Sequence, residues 1–180
     1  MKIIHIFGSS GSGTTTLARA ICQRYGFHMI DIDDVFWCPT DPPFTVKRDV
    51  SERIKIIENR LKQYDNVVIS GAFVGWGDVF ISRLDLAVYL HLPTDVRVER
   101  IKHRESHRFG DRVKPGGDLY QQHIDFLEWV KQYDNGDETT RSRKQHLEWM
   151  KQLTCPIISI ESVLSIDELI TTLKPYLETE

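Results

Sequence analysis

Gly8-Ser-Ser-Gly-Ser-Gly13-Thr14-Thr15 follows the spacing of a phosphate-binding loop, which asks for Gly, four residues, Gly, Lys, then Ser or Thr. Every term is met except the lysine, where Thr14 stands. The glycines let the backbone turn its amides toward an anion, and a helix that follows adds the positive end of its dipole. The contact set is Gly8, Ser9, Ser10, Gly11, Ser12, Gly13, Thr14, Thr15 and Thr16. Thr14 offers at most a hydroxyl, whereas Thr15 keeps the hydroxyl that ligates Mg²⁺ beside the phosphates. Losing one charged donor costs about 10²–10³ in rate. A charge-assisted hydrogen bond contributes only about 1.5–3 kcal/mol to binding. The substitution therefore bears harder on catalysis than on binding. A Gly/Ser-rich turn with no ligand has a similar composition, but this one sits between an apolar run at 3–7 and a helical pattern from Thr16.

Three carboxylates, Asp31, Asp33 and Asp34, close the second apolar run. A carboxylate at that strand end can orient an acceptor hydroxyl, take its proton, or hold Mg²⁺ through water. Alternation with period two places Asp31 and Asp33 on one side of an extended chain and Asp34 on the other. Asp33 is the first candidate for base or orienter and Asp31 the second, although an Asp here can also simply cap a helix. Phe36, Trp37 and Phe44 precede Arg48. Aromatic walls with a guanidinium suit a planar or phosphorylated acceptor, and they equally suit a packed loop. The acceptor set is Asp31, Asp34, Trp37, Arg48 and Gly71. In the run Val67-Val-Ile-Ser70-Gly71, Ser70 occupies the register where a Walker B carboxylate is expected.

Arg97, Arg100, Arg104 and Arg108 recur at intervals of three, four and four, one face of a helix, and Arg112 and Lys114 extend the run. Stacked like charges repel, so their alignment is easiest to understand with an anion among them. Gly110, Gly116 and Gly117 would let such a lid open and close. A guanidinium from Arg104, Arg108 or Arg112 could enter the phosphate site on closure and replace the missing lysine, as arginine fingers do. His103, His107 and His123 lack metal-site spacing and read as surface or hydrogen-bonding residues.

Around these residues, apolar runs at 3–7, 27–30, 67–69, 86–90 and 157–160 read as strands. Helical patterns fall between them: one stops at Gly26, one carries Val50, Ile54, Ile57 and Leu61, and one starts at Thr94. Two more cover 119–132 and 139–153, and Ser165-Ile-Asp-Glu168 is a capping box. Strands alternating with helices imply an α/β fold with a parallel sheet covered on both faces. Ligands then bind at the carboxyl ends of the strands. The 180 residues suit one domain, 1–180, with a lid at 104–117 and a helical insert at 118–153. A net charge of −3 gives no reason to expect nucleic acid or an acidic membrane as partner. No apolar stretch reaches transmembrane length and no signal peptide precedes the first strand. Three cysteines without metal spacing fit a reduced, cytoplasmic setting. A monomer and a homodimer are equally compatible with these features.

The loop at 8–15, the acids after the second strand, Val67 to Gly71, Leu86-Ala-Val-Tyr-Leu-His-Leu-Pro93 and Arg100/Arg104/Arg108 together resemble adenylate-kinase-like small P-loop kinases. The stretch Asp33-Asp-Val-Phe-Trp37 with Val68-Ile-Ser-Gly71 is similar to the topology-modulation-protein branch, and the spacing of the acids resembles shikimate kinases. The resemblance spans about residues 2–112 and, loosely, the last strand and helix. It implies a three-layer α/β/α fold with strand order 2-3-1-4-5. It also implies ATP and Mg²⁺ as cofactors and transfer of the γ-phosphoryl group to a small-molecule or nucleotide acceptor. Thr14 and Ser70 depart from the pattern. Their departure leaves open a nucleotide-binding regulatory protein that transfers no phosphate.

Overall fold

The computed structural model describes residues 1–137, 139–161 and 163–178. Glu138, Ser162, Thr179 and Glu180 lie outside the described residues, so the expected spans 1–180 and 118–153 are described except at those positions.

All five apolar runs are strands: β1 (Lys2–Gly8), β2 (His28–Asp31), β3 (Asn66–Ser70), β4 (Leu86–His91) and β5 (Ile157–Glu161). They form one parallel sheet in the order β2-β3-β1-β4-β5. β1, β3 and β4 are buried almost throughout, as expected of parallel strands covered on both faces. One face packs Ile4, Ile6, Val68 and Val88 against α1 (Thr14–Tyr25) and α7 (Ile166–Leu177) through Leu17, Ile21, Leu169 and Leu173. The other packs Ile3, Phe7, Ile69 and Tyr89 against α3 (Val50–Leu61) and α6 (Arg143–Met150) through Ile57, Leu61 and Trp149. The other α-helices among the described residues are a short α2 (Ile32–Phe36), α4 (Thr94–Phe109) and α5 (Tyr120–Lys131). Val98 and Ile101 of α4 meet Leu127 and Val130 of α5 in a separate small core.

Local signals explain several boundaries. Gly26 takes φ 73° and caps α1 through its N–H to the Cys22 carbonyl. Ser165 and Glu168 form the expected reciprocal capping box on α7. Three expectations change. β2 ends at Asp31 and the chain turns helical at Ile32, so period-two alternation does not carry to Asp33. Pro93, not Thr94, caps α4; the Thr94 hydroxyl instead donates to Asp134 and accepts from Arg97. On α3 the buried positions are Arg53, Ile57 and Leu61, while Val50 is exposed.

Candidate functional site

The carboxyl ends of β1, β2 and β3 converge on the Gly-rich loop. Gly8 sits so close to β4 that a Cβ would meet the Leu90 carbonyl oxygen at 2.2 Å. Gly11 (φ 85°) rests on α4, with a Cβ position 2.9 Å from the Arg97 carbonyl oxygen. Such approaches exclude a side chain and leave the loop shaped by its backbone. Gly13 is the N-cap of α1, whose first turn has no side-chain cap among the described residues. Its open amides are therefore available to an anion. Ser9 is buried, and its Oγ has no hydrogen-bond partner among the described residues. A buried hydroxyl without a partner beside the uncapped N-terminus of α1 fits a bound phosphate chain.

Thr15 opens α1 toward β2 and β3. Its hydroxyl lies 3.4 Å from Asp31 Oδ2 and 3.2 Å from the Ser70 hydroxyl. Ser70 is fully buried in the register of the expected carboxylate, and Asp31, from the neighbouring strand, brings the charge that Ser70 lacks. Three oxygens at these distances suit a hard divalent cation with its water shell. Burial raises the Asp31 pKa above the usual carboxylate value, and the charges of Asp33 and Asp34 add to the rise. The Asp33 amide and the Thr15 hydroxyl hold it down. Asp31, rather than Asp33 or Asp34, caps α2, its Oδ1 accepting from Asp33 N at 3.0 Å. Asp33 and Asp34 are exposed in the first turn of that helix. Gly71, at φ 115°, is crowded by Ile32, and its carbonyl accepts from His5 Nε2 at 2.7 Å.

The acceptor side differs most from the sequence reading. Arg48 is occupied within the protein: Nε donates to the Val35 carbonyl (3.0 Å), Nη2 to the Trp37 carbonyl (3.4 Å) and Nη1 to Glu52 (3.2 Å). It fastens the end of α2, and Trp37 pairs with Lys47 in an isolated bridge while its ring meets Phe36 and Phe44 edge-on. Arg53 places its guanidinium against aromatic rings instead. It is only 6% exposed and lies 3.9 Å from the Phe36 ring centroid and 5.3 Å from that of Trp76. Its Nε donates to the Arg48 carbonyl at 2.7 Å, and no carboxylate among the described residues pairs with it. Desolvation depresses its pKa, with the charge of Asp49, at the N-cap of the same helix, opposing. The available signal was spacing: Arg53 falls four residues before Ile57 and eight before Leu61, on the apolar stripe itself. Arg141 was also missed. Its guanidinium stacks on Trp129 at 4.8 Å, and its pKa is lowered by desolvation while the Asp33 carboxylate pulls it upward.

The α4 arginines do not share one role. Arg97 is fully buried, donating to the carbonyls of Leu92 and Val130, to Thr94 Oγ1 and to Asp134 Oδ2. Arg104 approaches Glu105 at 3.5 Å. Arg108 lies over Phe44 and Phe109, and Arg112 binds Asp118 and Asp41 at 2.6 Å each. With Gln122 donating to the Pro43 carbonyl, these contacts tie the segment after α4 to the 38–47 loop. Arg108 and Arg112, two of the three expected fingers, are thus engaged with the loop on the acceptor side. Arg100 is the cation that approaches the phosphate loop, its Nη1 3.9 Å from a Cβ placed on Gly13.

A five-stranded parallel sheet in this order, with a Gly-rich loop between β1 and α1, defines the fold of small P-loop kinases. The chain belongs to the AAA_18 family, described as AAA domain, which matches residues 4–114. It is 42% identical over 178 residues to the uncharacterized protein YqaC of Bacillus subtilis (strain 168), covering 99% of this chain and 98% of that one. A cytidylate kinase of Methanoregula boonei is 32% identical over 113 residues, 57% of this chain and 60% of the kinase, so that match spans about three fifths of the relative. Among solved structures, shikimate kinase from Bacteroides thetaiotaomicron superposes with a TM-score of 0.59 at 16% identity, covering 99% of both chains. No helix among the described residues is long and apolar enough to cross a membrane.

Proposed function

We propose that the protein transfers the γ-phosphoryl group of ATP to a hydroxyl or phosphate of a small acceptor, metabolite or nucleotide, that itself carries an anionic group. The observation that carries this reading is the buried guanidinium of Arg53, held between Phe36 and Trp76 with no carboxylate in salt-bridge contact among the described residues. A buried cation costs several kcal/mol unless paired, and a kinase acceptor with a carboxylate or phosphate would supply the pair. A protein that only senses nucleotide needs no such group.

The residues fit the implied cofactors. Amides of 9–13 and the Ser9 hydroxyl would hold the phosphates, and Thr15, Ser70 and Asp31 would hold Mg²⁺ and its waters. Bound Mg·ATP supplies the phosphoryl donor and charge neutralisation. Asp33 orients the attacking acceptor oxygen and takes its proton, and Arg141, whose charge Asp33 favours, would steady the acceptor from the insert. Trp37, Asp34 and Gly71 would border the acceptor, while Arg48 supports the wall behind it. The lid at 104–117 would close over this cleft within one domain, beside the insert at 118–153, whose α6 is packed on the sheet.

The test is ADP formation by the purified protein with Mg·ATP and panels of nucleoside monophosphates, phosphosugars and hydroxy acids. Acceptor-dependent ADP is expected, and Arg53→Met should raise the acceptor KM by roughly 30-fold or more while the melting temperature changes little. ADP formation indifferent to every anionic acceptor would refute the reading. The absence of lysine at Thr14 favours one alternative, a regulatory protein that binds nucleotide without transfer. Tight nucleotide binding with no turnover would select it.

A further inference from the structure

The phosphate loop lacks its cation at position 14, and α4 carries one beside it. Gly11 lies against the backbone of Arg97, with a Cβ position 3.2 Å from Arg97 Cα. Arg97 is in turn locked by its bonds to Leu92, Thr94, Val130 and Asp134. The start of α4 is therefore fixed against the loop. Arg100, one turn on, projects along the same face and brings Nη1 within 3.9 Å of the Gly13 Cβ position, immediately before Thr14. Arg100 is exposed and has no ion pair or hydrogen bond from its side chain among the described residues, in contrast to Arg97, Arg104 and Arg112.

We propose that Arg100 supplies in this chain the phosphate-directed positive charge that a P-loop lysine would supply, from α4 rather than from the loop. This rests on the phosphoryl-transfer reading above. As the acceptor oxygen bonds to the γ-phosphorus, the bond from that phosphorus to the β–γ bridging oxygen breaks. The bridging oxygen keeps the electron pair and the acceptor proton passes to Asp33. The Arg100 guanidinium neutralises the charge arriving on the leaving phosphate oxygens. A guanidinium reaching in from a helix needs no lysine-sized space at Thr14, so a small hydroxyl residue there is compatible with function.

The experiment measures, by calorimetry with Mg²⁺, the binding of ADP, pyrophosphate and adenosine to wild type, Arg100→Ala, Arg100→Lys, Thr14→Lys and the Thr14→Lys/Arg100→Ala double variant. Phosphoryl transfer is followed in parallel, and melting curves control for folding. Arg100→Ala should weaken ADP and pyrophosphate alike by roughly ten- to a hundred-fold and lower transfer by about 10²–10³. It should leave adenosine unchanged. Arg100→Lys should recover part of the loss, and Thr14→Lys should restore the double variant. Unchanged pyrophosphate binding in Arg100→Ala, or an equal loss for adenosine, would overturn the inference while leaving a functional wild type to support the kinase reading. A wild type that binds neither ADP nor pyrophosphate would overturn both.

Discussion

At the residue scale, the charges in the cleft are distributed over more elements than in a simple P-loop site. The loop and β3 each lack one charged group, through Thr14 and Ser70, and Asp31 stands 3.4 Å from the Thr15 hydroxyl. Asp31 must be ionised to help hold a cation, and its pKa is raised, chiefly by burial. Protonation therefore sets in at a higher pH than for an ordinary aspartate. Because Mg²⁺ would compete with that proton, we expect the acid limb of the activity profile to reflect the raised carboxyl at limiting Mg²⁺ and to move to lower pH as Mg²⁺ is raised. Asp31→Asn should abolish that limb, lower transfer by about a hundred-fold and raise the Mg²⁺ requirement. A profile and Mg²⁺ dependence identical to wild type would place the cation away from Asp31. The sequence pattern put Asp31 and Asp33 on one side of an extended chain, but the strand ends at Asp31 and that alternation does not reach Asp33. The start of α2 at Ile32, capped by Asp31 itself, is what divides the two carboxylates.

At the element scale, α4 is the part that ties the phosphate side to the insert. Its arginine periodicity was visible in the sequence, but periodicity cannot tell a buried arginine from a solvated one. Arg97 is fully buried because α5 crosses above it and offers the Val130 carbonyl and, just beyond α5, the Asp134 carboxylate. Arg97→Met should destabilise the protein by about 3 kcal/mol, read as a lower urea midpoint, because it strands a half-buried carboxylate and two carbonyls. Since Gly11 rests on Arg97, the same variant should also weaken nucleotide binding. Asp134→Asn, which keeps a hydrogen-bond acceptor, should cost less. Equal stability of Arg97→Met and wild type would show that α4 is held by its apolar face alone, through Val98 and Ile101.

For the whole molecule, the face of the sheet under α6 buries polar rings. His5 stacks on Phe7, meets Phe73 at a tilt and Trp149 edge-on, and its Nε2 donates to the Gly71 carbonyl. His146 meets the Tyr133 hydroxyl, which in turn meets that of Tyr89. Desolvation lowers His5 to about 4, with its bond to Gly71 opposing, and lowers His146 to about 3, with Arg141 and His5 adding to the fall. Both rings are neutral in the fold, whereas the unfolded chain takes up protons near an ordinary histidine value of about 6.5. Their contribution to stability is therefore whole above that pH and falls as the pH drops toward the folded values. The limiting slope is on the order of 1.4 kcal/mol per pH unit for each ring. Urea titrations between pH 7 and 4 should show this fall, and His146→Phe should flatten it. A slope unchanged in that variant would assign acid sensitivity to other groups.

The five strands, the Gly-rich loop, Gly26 and the Ser165 capping box were legible because each depends on local chemistry: apolar runs, backbone freedom and short-range hydrogen bonds. The partners of the charged residues were not. Arg48 and Arg53 lie five positions apart on similar ground, yet one is consumed by backbone carbonyls and the other is buried between Phe36 and Trp76. Trp76 comes from the far side of β3, Val130 and Asp134 from the region of α5, and Gly13 from the loop that Arg100 approaches. Such contacts join segments tens of residues apart. Sequence spacing can place a charge on a face, but only the packing of distant elements decides whether that charge is satisfied by the protein or left to meet a ligand.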